Sequence, residues 1–162
     1  SGLEIACWDI IGKSLNLPVW KLLGGRVRNK LRTYTYLYPN SNQKSEIFYR
    51  SATQSAAAAL KLVEKGFTAI KFDPAGAYTI FDGHQPSIAD LERSEDFCHK
   101  IRANVGKNAD ILFGTHGQFT PSGAIRLATK IEKYSPLWFE EPIPPDNFLE
   151  FSEIAKSTSI PY

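Results

Sequence analysis

The 162-residue sequence is 43% hydrophobic and 22% charged, which is typical of a globular protein long enough to bury a core. Its net charge of +2 and the lack of a dense basic cluster argue against a nucleic-acid partner. No apolar stretch approaches the ~20 residues of a membrane span, and no signal-peptide pattern is present, so the sequence predicts a cytoplasmic protein without a membrane partner. Cys7 and Cys98 lie in apolar helical patterns and are predicted to be buried, reduced thiols.

Strand and helix patterns alternate along most of the chain. Residues 2–15 carry an apolar stripe at helical spacing, and a short helical turn follows Pro18. Four strands are predicted, at residues 31–38, 68–73, 110–116 and 137–142. Each is followed by a helical pattern, at residues 45–65, 86–105, 121–133 and 146–156. Residues 159–162 have the pattern of a fifth strand that has just begun.

This alternation predicts a parallel sheet with right-handed crossovers, either a doubly wound open sheet or a (β/α)8 barrel. No glycine-rich nucleotide-binding turn follows any strand, which weakens the case for the open sheet. Ionisable residues at consecutive strand ends favour the barrel, because a barrel gathers its strand ends around one axis. The predicted fold is therefore α/β, a partial (β/α)8 barrel of about four βα units preceded by a helix. Residues 1–30 form the predicted helical lead-in, and residues 31–162 the first half of the barrel domain.

Two ionisable residues end the second predicted strand. Lys71 and Asp73 flank Phe72, and because side chains alternate along a strand, both point to the same side. A lysine there can polarise a substrate carboxylate or act as a base with a lowered pKa. The alternative is a solvent-exposed lysine at a strand end.

The third and fourth strands end in further candidates. His116 has glycines on either side and can serve as a general acid, a metal ligand or a hydrogen-bond donor. Glu140 and Glu141 follow an unbroken apolar run and precede Pro142, which stops the strand. They can be site carboxylates or ordinary loop acids.

His84 is a weaker candidate. It lies in the segment between Pro74 and Pro86, which is longer than most βα connections. That segment can cover a pocket or be a surface excursion. His84 and His99, taken singly, favour a structural role.

Several motifs occur together in the order of a known family. Residues 2–13 (GLEIACWDIIGK) and 18–25 (PVWKLLGG) are followed by the strands of Lys71 and His116, and then by FEEP at residues 139–142. This order resembles the mandelate racemase/muconate lactonizing enzyme family of the enolase superfamily. Within that group, residues 134–137 and 140–145 are most similar to the sugar-acid dehydratases that act on galactonate or mannonate.

The resemblance implies Mg²⁺-assisted abstraction of the proton α to a sugar carboxylate, followed by β-elimination of water. Glu140 matches the second metal ligand, and His116 matches the histidine that protonates the departing hydroxyl. Gly114 stands where the first ligand, an aspartate, is expected, and Asp73 is the substitute considered for it. Lys71 is the second catalytic candidate. The substrate-binding candidates are Glu141 and His84.

Three interpretations stay open: a fragment of an acid-sugar dehydratase, a catalytically inert or truncated member that keeps only the fold, and a racemase or cycloisomerase of the same superfamily. The resemblance implies that the chain is truncated at both ends, so that the third metal ligand and the opposite base lie outside it. We therefore expect this chain alone to bind Mg²⁺ weakly and to be inactive. The expected partners are a small sugar acid and further copies of the chain in a homo-oligomer.

Overall fold

The computed structural model describes residues 1–73, 82–146 and 148–162. It divides into two compact units, residues 1–32 and 33–162. The first unit holds helices α1 (Gly2–Ser14) and α2 (Val19–Leu22). Cys98 is buried as predicted, but Cys7 is exposed on α1, so the prediction is wrong for Cys7. The physical reason is that a 32-residue unit has too little apolar volume to cover a helical stripe on its own.

The second unit is an α/β structure in which a parallel sheet alternates with helices. Its elements are β1 (Thr35–Tyr36), α3 (Ser45–Phe48), α4 (Ala52–Glu64), β2 (Ala69–Phe72), α5 (Ile88–Val105), β3 (Asp110–Gly114), α6 (Pro121–Ile131), a 3₁₀ turn (Glu132–Tyr134), β4 (Trp138–Glu140) and α7 (Phe148–Ser157). The four strands are parallel in the order β1-β2-β3-β4. Helix α4 packs on α5, α5 on α6, and α6 on α7. This confirms the predicted fold class, part of a (β/α)8 barrel preceded by a helix.

Several element boundaries differ from the prediction. Strand β3 ends at Gly114 rather than at residue 116, and β4 covers Trp138–Glu140 rather than residues 137–142. The helix expected at residues 45–65 is divided, because the Ser51 hydroxyl accepts a hydrogen bond from the Gln54 backbone N–H and starts a new helix there. The first strand has only two paired residues. Residues 159–162 do not form a strand, although the Phe139 N–H donates to the Pro161 carbonyl at 2.8 Å.

The two faces of the sheet carry different side chains. On one face, the rings of Phe72, Phe113 and Phe139 meet edge to face across three strands, with centroids 5.9 and 5.1 Å apart. These rings belong to the core that the helices cover. Because side chains alternate, Lys71 and Trp138 lie on the other face, at the register level of Leu112. The register therefore assigns the ionisable side chains to the face away from the helices.

Arg102, near the end of α5, braces the approach to β4. Its guanidinium donates to the carbonyls of Gly106 and Ala109, each at 2.8 Å, and of Tyr134 and Ser135, at 3.0 and 3.1 Å. A planar guanidinium has five N–H donors in a fixed fork, which suits several carbonyls at once. The brace fixes the turn from which β4 carries Glu140 to the sheet edge.

Over the described residues, no helix is both long enough and apolar enough to traverse a bilayer.

Candidate functional site

Two close contacts between a basic side chain and a carboxylate lie at the carboxyl ends of strands β2, β3 and β4. The Nζ atom of Lys71 is 2.5 Å from Oε1 of Glu140. The Nε2 atom of His116 is 2.9 Å from Oδ2 of Asp73. The structure thus brings four predicted site residues together in two neighbouring pairs, while their chemical roles remain predictions.

Lys71 is a largely covered cation rather than an exposed one. Its side chain is only 12% exposed, which rules out the solvent-exposed alternative. Burial by itself lowers the Lys71 pKa, but the hydrogen bond and the negative charge of Glu140 outweigh burial, so the pKa is raised. The ring of Tyr34 lies 5.8 Å from the ammonium, and an aromatic ring at this distance stabilises a positive charge. The lowered pKa considered for a catalytic base is therefore wrong for this state, and Lys71 is held as an ammonium ion.

Asp73 is almost completely buried, and its two carboxylate oxygens differ. Oδ2 accepts hydrogen bonds from the Tyr36 hydroxyl and from Nε2 of His116, both at 2.9 Å. Oδ1 is buried and has no hydrogen-bond partner among residues 1–73, 82–146 and 148–162. It occupies the space beside Gly114, where a Cβ atom added to the glycine would lie only 2.6 Å away. A buried polar atom of this kind is uncommon in folded proteins and is often found at functional positions.

The backbone around His116 is braced by the turn after β4. His116 and Glu141 both have left-handed backbones, with φ of 54° and 47°. The Glu141 carbonyl accepts the Gly117 N–H at 2.7 Å and the Thr115 hydroxyl at 2.9 Å. Non-glycine residues in this region cost free energy and persist only where neighbours fix them. These bonds hold His116 in the orientation that meets Asp73.

Glu140 also borders an open cavity. Its second oxygen, Oε2, accepts the indole N–H of Trp138 at 3.1 Å. The cavity has a volume of about 590 Å³ and is lined by Leu137, Trp138, Glu140, Glu141, Pro161 and Tyr162. Glu141 is exposed there, so its side chain is accessible to a small molecule, and binding by Glu141 stays a prediction.

His84 lies apart from the two contacts between basic side chains and carboxylates. His84 is exposed, and its backbone is bonded to the segment after β3. Its backbone N–H donates to the Gln118 carbonyl, and its carbonyl accepts the Thr120 N–H, both at 3.0 Å. Its contacts brace the backbone, and substrate binding by His84 remains untested. Most of the long preceding segment, residues 74–81, lies outside the described residues.

The magnesium site implied by the resemblance was compared with these contacts. Within residues 1–73, 82–146 and 148–162, no three His, Cys, Asp or Glu side chains converge as metal ligands. Gly114 has no side chain to offer, Glu140 is engaged by Lys71 and Trp138, and Asp73 is bonded by His116. Magnesium requires near-octahedral oxygen coordination, usually with carboxylate help. The described residues do not fit such a site by themselves.

Three neighbours of these basic and carboxylate side chains were not among the predicted site residues: Tyr34, Tyr36 and Trp138. Each could have been found from alternation. Tyr34 lies just before β1, two residues from Tyr36, and Tyr36 pairs with Lys71 in register. Trp138 is likewise two residues from Glu140 and points to the same face.

Residues 54–161 match the family model described as Enolase C-terminal domain-like. The chain belongs to this family. It is 31% identical, over 99% of its length, to a D-gluconate/D-galactonate dehydratase of Picrophilus torridus, and 32% identical, also over 99%, to a D-xylonate dehydratase of Haloferax volcanii. A solved mandelate racemase/muconate lactonizing enzyme from Sulfitobacter sp. is 54% identical over 99% of the chain, with a TM-score of 0.94. The chain spans 38% of each dehydratase and 40% of the solved protein.

Proposed function

We propose that this enolase-superfamily chain supplies one side of the active site of a sugar-acid dehydratase. The observation that carries the proposal is the His116–Asp73 contact of 2.9 Å beside the partly buried Lys71–Glu140 pair, at the strand ends where barrel enzymes have their active sites. The dehydratases from P. torridus and H. volcanii support a sugar acid as the substrate class.

In this proposal His116 is the general acid. Elimination of water from a sugar acid breaks a C–O bond, and hydroxide is a poor leaving group unless it is protonated as it departs. An imidazole exchanges protons near neutral pH and can therefore supply that proton and regain it from water. The proton α to the carboxylate is removed by a different residue of the complete enzyme.

Lys71 has an electrostatic role in the proposal. A charged ammonium in a partly buried site attracts an anionic substrate more strongly than one in bulk water. Glu140 keeps Lys71 charged and in place until a substrate carboxylate arrives. No step assigned here passes through a metal ion, because the described carboxylates are already bonded to other side chains. Magnesium dependence, a homo-oligomer and a cytoplasmic location remain predictions.

A catalytically inert family member is the second candidate. It is favoured by Gly114, which provides no ligand at a strand end, and by the mutual pairing of both carboxylates. An inert protein would keep these contacts only for stability. The two candidates differ in whether the site turns over a sugar acid.

The test is His116→Asn in the full-length protein that carries this sequence, assayed with gluconate, galactonate and xylonate. We expect dehydration to fall about 10²- to 10⁴-fold, the usual contribution of a general acid. Exchange of the α-proton with solvent deuterium should continue, because another residue performs that step. His99→Asn, an exposed histidine on α5, is the matched control and should leave both rates unchanged.

The outcomes separate the candidates. If exchange and dehydration fall together, His116 is the base or a metal ligand and not the acid. If His116→Asn changes neither rate, the histidine is structural. If the unsubstituted protein dehydrates none of the three acids and exchanges no α-proton, the inert interpretation is correct. Exchange without dehydration would favour the racemase interpretation.

A further inference from the structure

The side chain of Asp73 fills space that a residue other than glycine at position 114 would need. A Cβ atom at Gly114 would lie 2.6 Å from Oδ1 of Asp73 and 3.2 Å from Cε of Lys71. Contacts under 3.0 Å are essentially never observed for real Cβ atoms, so Asp73 or the strand would have to move. Asp73 is also held from the other side by Tyr36, whose hydroxyl donates to Oδ2. Movement of the carboxylate away from position 114 would therefore disturb its hydrogen bonds to Tyr36 and His116.

We propose that Asp73 is a positioning residue for His116. We further propose that glycine is required at position 114, because a larger residue there would displace the Asp73 carboxylate. This inference rests on the proposed function, because it explains how the general acid is oriented. It assigns Gly114 a role of its own, as the position at which a neighbouring strand inserts a carboxylate.

The pairing fixes which ring nitrogen carries which proton. The proposal takes Asp73 as a carboxylate, which can only accept hydrogen bonds, and therefore assigns Nε2 of His116 as the donor to Oδ2. Holding Nε2–H in this way selects the tautomer and the ring orientation. The proposal accordingly assigns the proton exchanged with substrate to Nδ1.

The elimination step balances with this assignment. The base elsewhere in the enzyme takes the α-proton, and the electron pair of that C–H bond forms the double bond between the α and β carbons. The β C–O bond breaks with its electron pair on oxygen, which takes the proton from Nδ1 and leaves as water. In this step His116 starts as an imidazolium with protons on both ring nitrogens and becomes a neutral imidazole, with its proton on Nε2 still donated to Asp73.

Two substitutions test the positioning role, with His116 observed by ¹⁵N NMR in the full-length protein. Asp73→Asn removes the negative charge while keeping the shape of the side chain, and Gly114→Ala displaces the carboxylate. In both variants the ring nitrogens should lose the pattern of a fixed Nε2–H tautomer. Dehydration should fall at least tenfold while α-proton exchange stays within about threefold. Because both changes act through one contact, the double variant should lose no more activity than the worse single variant.

Matched controls distinguish this effect from general damage. Asp146→Asn changes an exposed aspartate in the same way, and Gly2→Ala adds a methyl group that meets nothing within 4 Å. Both should leave the His116 spectrum and the rates unchanged. If Gly114→Ala fails to fold, Asp73→Asn alone decides, since it adds no volume.

Unchanged ¹⁵N shifts of His116 in both variants would overturn the positioning role. So would altered shifts with an unaffected dehydration rate, because the contact would then be structural. The ¹⁵N NMR spectrum of His116 is recorded without substrate turnover, so it tests the positioning role separately from the activity. A wild-type protein that shows the fixed tautomer but dehydrates no sugar acid would refute the proposed function while leaving the Asp73–His116–Gly114 geometry intact.

Discussion

Two polar clusters of this protein use their hydrogen bonds differently. In the Arg102 brace, one guanidinium satisfies four backbone carbonyls. At the carboxyl ends of the strands, by contrast, Oδ1 of Asp73 and Nε2 of Gln118 are buried and find no partner within the described part of the chain. The brace has the complete pairing expected of a structural element, whereas the strand ends keep polar atoms that no described residue pairs, at a stability cost. This contrast supports the proposal that the strand ends carry the function.

Breaking the brace should produce the largest loss of stability. Arg102→Ala removes four hydrogen bonds from a charged donor and leaves the Ala109 and Tyr134 carbonyls to find other partners. We expect the free energy of unfolding to fall by about 3 kcal/mol, measured by urea denaturation. Arg126→Ala, at an exposed position on α6, is the control and should change it by less than about 0.5 kcal/mol. Equal effects of the two variants would show that the brace adds nothing.

Removing the counter-charge of Lys71 should cost less. Glu140→Gln leaves a buried ammonium without its ion-pair partner, and we expect a loss of about 2 kcal/mol in the free energy of unfolding. The effect is smaller than for a fully buried pair, because the Glu140 side chain is 34% exposed. Glu141→Gln changes the adjacent, exposed carboxylate and should leave the free energy of unfolding nearly unchanged. An unchanged free energy of unfolding in Glu140→Gln would mean that water already solvates Lys71.

The smallest expected effect belongs to a helix-surface network. Hydrogen bonds from Lys130 and Lys133 lower the Glu95 pKa to about 2, from an ordinary 4.5. A lowered pKa stabilises the fold at pH values above 4.5, and this contribution is lost as the pH falls towards 2. After screening by solvent we expect about 1 kcal/mol. Glu95→Gln should therefore be less stable than wild type at pH 7 and equal to it near pH 2; a constant difference would contradict the ion-pair origin.

The sheet and much of the site geometry could be predicted from residue order alone. Alternating strand and helix patterns fixed the parallel order, and the period of two along β2 correctly assigned Lys71 and Asp73 to one face. Boundaries were less accurate where local hydrogen bonds compete with periodicity. The hydroxyl of Ser51 divides one predicted helix, and its S-x-x-Q spacing was an available signal.

The pairing within the site could not be predicted in the same way. Sequence order shows which side chains reach the strand ends, but not that Asp73 turns towards His116 while Lys71 turns towards Glu140. That choice depends on the space beside Gly114 and on the left-handed turn at His116, both of which are set by neighbouring strands. Tertiary packing decides the partners of side chains that local periodicity only brings near one another.

The close approach of Asp73 to Gly114 also restricts the order in which these two positions can change during evolution. A mutation of Gly114 to aspartate, with Asp73 still present, would force two carboxylates into the space of one. Loss of Asp73 first would empty that space, after which a larger residue at position 114 could be accepted. A lineage that exchanged a carboxylate between the two strands would therefore pass more readily through an intermediate with neither carboxylate than through one with both.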